Sequence, residues 1–283
     1  MRVVILLAVL STMLCGCAGP PAAHCNGTTC QPSASSASPS TTTPTVPPSP
    51  IINVTLPFFA FDDCNGISFG IEKPVDLVDP FVPDDFGPAS SVPFLAQIGI
   101  DAHYCPKVAY GNRTFEGVGT LWSYVNVVPK DSSWGKNGDS YYTLDVLVTN
   151  QTLAALLTSV SVPATVATLQ RTSTPIQGGA VGETWEFSGP NSGFKFAYEH
   201  GVDTQGSARK FDRFHWIGER PYTRIDIHHQ DKLFQPGTHG GTLELTGDSK
   251  FEQVLGSDRT AFHAAALQFL EWTLQPYNQT FGR

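Results

Sequence analysis

Near its middle the sequence reads Tyr141-Tyr142-Thr143-Leu144-Asp145-Val146-Leu147-Val148-Thr149 and continues directly into Asn150-Gln151-Thr152-Leu153-Ala154-Ala155-Leu156-Leu157. Apolar residues occupy both faces of the first stretch, which predicts a β-strand that is covered on each side. The second stretch predicts a short helix, because Asn150 is placed to cap the N–H groups of its first turn. Leu121 to Val128 shows the same two-sided apolar pattern as the first stretch.

Other stretches alternate apolar and polar residues with a period of two, which is typical of half-buried strands. They are Ile67 to Ile71, Phe194 to Tyr198, Tyr222 to His228 and Thr242 to Thr246. From about residue 51 to residue 283 the chain contains no Pro/Ser-rich linker. This length suits a single β-rich globular domain.

Few helices are expected. Pro74 to Phe81 predicts one short helical turn before Val82-Pro83. A longer helix is predicted at the C-terminus, where Asp258 or Ser257 serves as the cap. Its apolar face consists of Phe262, Ala266, Phe269 and Thr273. The predicted fold class is therefore mainly β (α+β), with a few short helices and a C-terminal helix.

The order of these elements resembles the acetoacetate decarboxylase-like family. The segments that carry the resemblance are Gly66 to Ile71, Asp76 to Pro83, Phe94 to Tyr104, Val127 to Pro129, Tyr142 to Thr149, Val162 to Leu169 and Gly247 to Gly256. The resemblance covers most of the domain and rests on the order of these segments. It implies a cone-like β double barrel around an interior pocket.

The same resemblance also implies a catalytic lysine, which forms a Schiff base with the substrate and directly follows a proline. Here the proline is Pro163, and it is followed by Ala164 and Thr165. No lysine lies between Lys136 and Lys195. Because an imine requires an amine nucleophile, we expect the pocket to be retained without Schiff-base decarboxylase activity.

Polar residues near the C-terminal third form the candidate catalytic set. On a strand, Arg224, Asp226 and His228 share one face, and Ile225, Ile227 and His229 share the other. With Glu183, those three polar residues are candidates for acid/base chemistry. The alternative is an ordinary solvated strand face. No histidine has HExxH or HxH spacing, so we predict no metal site, and we predict no cofactor.

Aromatic residues on predicted strands are candidates for a ligand-binding site. They are Trp122, Tyr124, Trp185, Phe196 and Tyr198. The alternative, which we favour for each residue taken singly, is packing in a β core.

The N-terminus predicts export. Residues 1–17 combine Arg2 with the apolar run Val3 to Leu10, which is shorter than the roughly 20 residues that span a bilayer. Leu14-Cys15-Gly16-Cys17 resembles the bacterial and archaeal lipobox, which makes Cys17 the predicted lipidation site. The alternative is cleavage nearby and a soluble product. Residues 18–50, rich in Pro, Ser and Thr, predict a disordered tether.

The remaining cysteines, Cys25, Cys30, Cys64 and Cys105, form an even set that suits an oxidising compartment. Three pairings are open, and we favour Cys25 with Cys30 and Cys64 with Cys105. The alternative is free or metal-binding thiols. Sequons for N-glycosylation occur at Asn26, Asn53, Asn112, Asn150 and Asn278.

The formal net charge of -8 argues against nucleic acid as a partner, because phosphate binding requires clustered Lys and Arg. The sequence predicts a domain in the cell envelope, lipid-anchored to the outer face of a membrane, that binds a small, mostly apolar molecule. The alternatives are an enzyme on the same scaffold, acting on a carbonyl compound by acid/base chemistry, and a structural or partner-binding envelope protein.

Replacing Cys17 by Ser is expected to release the protein from membranes, because the lipid is the predicted anchor. Membrane and soluble fractions are compared by immunoblot after a high-salt wash. The variant Cys15→Ser is the matched control and should stay in the membrane fraction. Retention of Cys17→Ser in the washed membranes would contradict the lipidation prediction.

Overall fold

The computed structural model describes residues 58–89, 92–134, 139–201 and 206–281, which belong to one compact unit, Ile52–Arg283. Within these residues the strands are β1 (Phe59–Pro74), β2 (Phe86–Pro88), β3 (Leu95–Tyr110), β4 (Arg113–Pro129), β5 (Asp139–Val148), β6 (Ala164–Val166), β7 (Thr168–Pro175), β8 (Val181–Ser188), β9 (Ser192–His200), β10 (Ser207–Ile217), β11 (Tyr222–Gly247) and β12 (Arg259–Phe281). The α-helices are α1 (Val75–Val78), α2 (Gln151–Ser159) and α3 (Lys250–Leu255). Short 3-10 turns span Asp79–Phe81 and Ser132–Trp134.

Seven strands form a closed barrel. Their order is β10-β5-β4-β3-β1-β12-β11, and β10 pairs with β11 to close the ring. Neighbouring strands are antiparallel except β10 and β5, which are parallel. Closure leaves no exposed edge around the ring, and successive side chains along each strand point alternately into and out of it.

A second sheet extends from the barrel because β11 and β12 are long, at 26 and 23 residues. Beyond the ring, β11 pairs with β9, β9 with β8, and β8 with β7. Strands β11 and β12 therefore belong to both the barrel and the second sheet.

The second sheet packs on the outer face of the barrel. Phe69 on β1 lies with its ring centroid 5.7 Å from that of Phe196 on β9. Gly119 on β4 allows a close approach, since a Cβ there would lie 2.7 Å from Leu169 Cδ2. Trp185 and Phe187 of β8 are fully buried in the same core. This packing covers the outer faces of the central strands, which are apolar on both sides as the sequence predicts.

One end of the barrel interior is apolar. Phe61 lies at the boundary of this end and stacks, with ring centroids 3.6 Å apart, on Trp272, which also borders the polar end described below. Helix α2 contributes Leu153 and Leu157 to the same cluster. Asn150 caps α2, as predicted, by accepting a hydrogen bond from the backbone N–H of Leu153 at 3.0 Å.

The predicted fold class is confirmed, and each predicted strand coincides with an observed one, except that Thr149 lies one residue beyond the end of β5. The prediction of a C-terminal helix is wrong. The segment that was expected to form it is β12, and Ser257, a proposed cap, instead bonds the backbone of Arg259 in the turn before the strand. Within β12, Gln268, Leu270, Trp272 and Leu274 are buried at alternate positions. Strand pairing on both edges outweighs the helical propensity of an alanine-rich segment.

Cys64 and Cys105 form a disulfide between β1 and β3, as predicted. Cys17, Cys25, Cys30, the tether and Asn53 lie outside the described residues. Asn112 is exposed in the turn between β3 and β4. Asn278 lies on β12, in a part of the strand whose side chains are not described. In the part of the chain that is described, no helix is long and apolar enough to cross a membrane.

Removing the Cys64–Cys105 disulfide is expected to destabilise the domain by about 4 kcal/mol, because it closes a loop with a separation of 41 residues. Urea unfolding of the double variant Cys64→Ala/Cys105→Ala measures the loss. Both sulfurs are fully buried, so the reduced wild-type protein is the control that keeps their packing. Equal stability of the oxidised and reduced wild-type forms would contradict the prediction.

Candidate functional site

The other end of the barrel interior is polar. Eleven side chains, each at most 7 % exposed, meet there and are called the interior polar cluster: Asp101, His103, Trp122, Tyr124, Tyr141, Arg213, His215, His229, Asp231, Gln268 and Trp272. Strands β3, β4, β5, β10, β11 and β12 supply these side chains. Their inward direction follows from strand alternation: Asp101 and His103 face the interior, whereas Ile100 and Ala102 belong to the outer core.

An ion pair lies at the centre of the cluster. Arg213 Nη1 donates to Asp101 Oδ2, and both residues are buried. Tyr124 Oη donates to the other carboxylate oxygen of Asp101 at 3.4 Å. The guanidinium of Arg213 also lies 5.3 Å from the ring centroid of Tyr141. Burial is the largest single influence and would raise the pKa of Asp101, but the charge of Arg213, together with His103, His215 and a hydrogen bond from Ser68, outweighs it and lowers that pKa.

Three buried histidines surround this pair. His215 Nδ1 lies 3.0 Å from Thr143 Oγ1. His103 Nε2 lies 3.2 Å from Gln268 Oε1. Because that amide oxygen only accepts, Nε2 of neutral His103 carries the proton and Nδ1 is an acceptor.

The third histidine, His229, stacks on Phe211 at 4.6 Å and lies parallel to Trp272 at 6.0 Å between ring centroids. Burial lowers the pKa of His103, of His229 and of His215, the last to about 3. The three imidazoles are therefore uncharged near neutral pH.

A second ion pair joins the cluster to the surface. Arg209 Nε donates to Asp231 Oδ2 at 2.5 Å, and the Arg209 side chain is 36 % exposed whereas that of Asp231 is wholly buried. Burial raises the pKa of Asp231. Arg209, Phe211 and Arg213 follow one another at alternate positions of β10, so both guanidinium groups flank the Phe211 ring.

Two glycines make room for rings of the cluster. A Cβ at Gly66 would lie 2.3 Å from His103 Cδ2, and one at Gly99 would lie 2.6 Å from Tyr124 Cε2. Both distances are shorter than any Cβ contact allows. The two glycines therefore let the His103 and Tyr124 rings lie flat against the neighbouring strand.

Several polar atoms of this interior have no hydrogen-bond partner. Among the described residues they are His103 Nδ1, Thr120 Oγ1, Trp122 Nε1, Arg213 Nε, His229 Nδ1, Asp231 Oδ1, Gln268 Nε2 and Trp272 Nε1. Each buried atom of this kind costs about 1–3 kcal/mol. These atoms are clustered at one end of the barrel. Buried polar atoms without partners are typical of functional sites, so this end is the candidate site.

The predicted catalytic residues on β11 do not lie in this interior. Arg224 and Asp226 form an ion pair at 2.7 Å on the outer face, where Arg224 Nη1 also donates to the carbonyl of Trp134. His228 forms an exposed pair with Asp212 at 2.7 Å. The opposite face of the strand, with Ile225, Ile227 and His229, points inward.

Glu183 lies in the other core, at the edge of β8. Its carboxylate accepts hydrogen bonds from Trp185 Nε1 at 2.7 Å and from Tyr198 Oη at 3.0 Å. Burial is the largest single influence and would raise the pKa of Glu183, but these two hydrogen bonds, a third from His200 and the charge of Arg171 together outweigh it and lower that pKa. Arg171 stacks over the Trp185 ring at 4.1 Å. Glu183 is therefore a satisfied carboxylate within a local network.

The five predicted ligand-binding aromatics separate into two groups. Trp122 and Tyr124 belong to the interior polar cluster. Trp185, Phe196 and Tyr198 belong to the core between the barrel and the second sheet. Sequence reasoning missed Asp101, His103 and Arg213 as site residues. Their signal is a polar residue at alternate positions of an otherwise apolar strand, as in Gly99 to Cys105.

No group of three or more His, Cys, Asp or Glu side chains within the described residues could hold a metal ion.

The fold is that of the acetoacetate decarboxylase-like proteins. It is similar to the crystal structure of acetoacetate decarboxylase from Legionella pneumophila subsp. pneumophila str. Philadelphia 1, with a TM-score of 0.54 and 12% identity over 79% of this chain and 87% of that chain. A second solved acetoacetate decarboxylase has a TM-score of 0.50 and 8% identity over 79% of this chain and 89% of that chain. At such identities the likeness concerns the fold. No family model and no curated protein matches the sequence.

Replacing His215 by Gln is expected to flatten the acid side of the stability profile. The pKa of His215 falls from 6.5 to about 3 in the folded protein, so the unfolded chain binds one more proton between these values. The contribution of His215 to the free energy of unfolding is therefore fully present above about pH 6.5. Below that pH it falls by about 1.4 kcal/mol per pH unit. Urea unfolding from about pH 7 to about pH 4 measures the difference in slope.

The control is the range above about pH 7.5, where His215 is uncharged in the folded and the unfolded protein alike, so that the variant and the wild type should have the same slope. A wild-type slope in His215→Gln would contradict the buried, uncharged state of that imidazole.

Proposed function

We propose that this chain is an exported, membrane-tethered domain that binds a small molecule within the polar end of its barrel. The observation that carries the proposal is the set of unpartnered polar atoms in the interior polar cluster. A ligand that forms hydrogen bonds to these atoms would remove the free-energy cost of leaving them buried without partners. The aromatic rings of Trp122 and Trp272, 6.4 Å apart between centroids, provide the apolar part of the site.

Binding is favoured over acid/base catalysis by the histidines because the buried imidazoles are weak bases. A general base works best when its pKa lies near the working pH. The pKa of His215 is about 3, and burial lowers the pKa of His103 and His229 as well. Uncharged imidazoles of this kind are suited to hydrogen bonding and poorly suited to proton abstraction.

Imine chemistry is also disfavoured. Ala164, which takes the place that the family resemblance gives to an amine, lies on β6 opposite Val146. Of the lysines that the structure describes, none is buried. Lys195 is exposed and lies 3.8 Å from Glu244, in agreement with the strand alternation.

Export and tethering are supported by the N-terminal signal, the lipobox at Cys17 and the Pro/Ser/Thr-rich segment. The Cys64–Cys105 disulfide supports export further, because disulfides persist in oxidising compartments. We propose Asn112 as the best placed of the sequons for glycosylation, since its turn is exposed.

The binding function is tested with a chemically mixed fragment library and ligand-observed NMR. We expect some fragments to bind in the barrel interior. Their affinity should fall about tenfold or more in His103→Phe, because this variant keeps a ring but lacks the Nδ1 acceptor and the hydrogen bond to Gln268. His228→Phe, an exposed change on β11, is the control and should bind as the wild type does. Binding that is equal in His103→Phe and wild type, or no binding by any fragment, would contradict the proposal.

A further inference from the structure

The unpartnered atoms of the barrel interior define the kind of ligand that would satisfy them. Four can only donate: the indole N–H groups of Trp122 and Trp272, Nε2 of Gln268 and Nε of Arg213. Two can only accept when Asp231 is ionised and His103 is neutral: Asp231 Oδ1 and His103 Nδ1. Thr120 Oγ1 and His229 Nδ1 can adopt either role.

This balance matches hydroxyl groups. A hydroxyl offers one donor and two acceptor lone pairs. Two hydroxyls therefore supply two donors and four acceptor positions, which is the complement of the fixed set. A primary amide supplies two donors for two lone pairs, and a carboxylate supplies no donor for Asp231 or His103.

The charge of the interior argues for a neutral ligand. Arg213 is paired with Asp101, and Arg209 with Asp231. Asp139, opposite Arg213 on the neighbouring strand, is exposed. The three histidines are uncharged because burial disfavours their protonated form. Among the residues whose side chains are described, an ionic ligand would find no unpaired opposite charge in this interior, and burying its charge there would be costly.

Aromatic rings line the same interior. Phe61, Trp272, His229 and Phe211 lie nearly parallel to one another in a single run, and the Trp122 ring meets Trp272 edge to face at 85°. The polar atoms therefore define the ligand more closely than the rings do. We propose that the interior polar cluster binds a neutral compound that carries at least two hydroxyl groups. This proposal rests on the binding function proposed above.

The test is isothermal titration calorimetry of the mature protein at neutral pH. The probes are a panel of hexoses and cyclitols, deoxy analogues of whichever bind, butyrate as an anion and choline as a cation. We expect at least one polyol to bind and its deoxy analogue to bind about tenfold or more weakly, because a missing hydroxyl leaves buried groups unpaired. This comparison uses only the wild-type protein, so it does not depend on the folding of any variant.

Variants locate the binding in the barrel. Trp122→Phe and Trp272→Phe each remove one indole N–H but keep an aromatic ring, and each should weaken the polyol about tenfold. Trp216→Phe is the matched control: its indole N–H is also buried and unpartnered, but it lies in the outer aromatic cluster with Trp134. Its polyol affinity should equal that of the wild type.

Three results would overturn the polyol proposal: tighter binding of butyrate or choline than of any polyol, an undiminished deoxy analogue, or unchanged polyol binding in both barrel variants. If other fragments bind in a His103-dependent manner while polyols do not, the ligand class is wrong and the binding function stands. If no compound of any class binds in that manner, both proposals fail.

Discussion

Strand β12 is hydrogen-bonded to β1 along one edge and to β11 along the other, and this two-sided pairing holds the barrel and the second sheet together. Trp272, for example, lies opposite Phe61 on one side and His229 on the other. Once both edges are occupied, the side chains of β12 have only two directions available, into the barrel and out of it. The same constraint applies to β1, β3 and β4, whose neighbours are fixed on both sides.

This constraint explains why the domain has two cores of different character. Side chains that leave the ring meet the second sheet and are apolar, as Phe69 and Phe196 illustrate. Side chains that point into the barrel are apolar at the end that contains the disulfide and polar at the other end. A one-residue shift in the register of β3 would exchange Asp101 with Ile100 and reverse both environments. The register of these strands therefore places the site as well as the core.

Much of the fold was predictable from local patterns, and the errors have identifiable causes. Strand alternation and the Asn150 cap depend on neighbouring residues, so a single sequence reveals them. The prediction for the C-terminal segment was wrong because Phe262, Ala266 and Phe269 fit a helical period. The pairing partners that decide its structure lie 15 residues away (Glu244 opposite Arg259) to 215 residues away (Phe59 opposite Leu274). Local propensity could not show those partners.

The candidate site was less predictable than the fold. Of the five predicted ligand-binding aromatics, Trp122 and Tyr124 lie in the interior polar cluster and the other three do not. The predicted acid/base residues on β11 lie on its outer face, because the direction of a strand's faces depends on barrel closure. A polar residue within an apolar strand, such as His103, was the signal that sequence reasoning passed over.

The energetics of the Asp101–Arg213 pair bear on why the polar cluster exists. Burying two charges costs several kcal/mol each, and replacing such a pair by apolar residues of similar volume is often neutral or stabilising by about 1–4 kcal/mol. The opposite end of the same barrel is filled by Phe59, Phe61 and Leu274, so apolar filling is compatible with this ring of strands. Stability alone therefore gives no reason for the polar end. Local departures from the packing rules that the rest of a fold obeys are expected at functional sites. The unpartnered atoms around the pair add to its cost in the free protein, and a bound molecule that hydrogen-bonds to them would offset that cost.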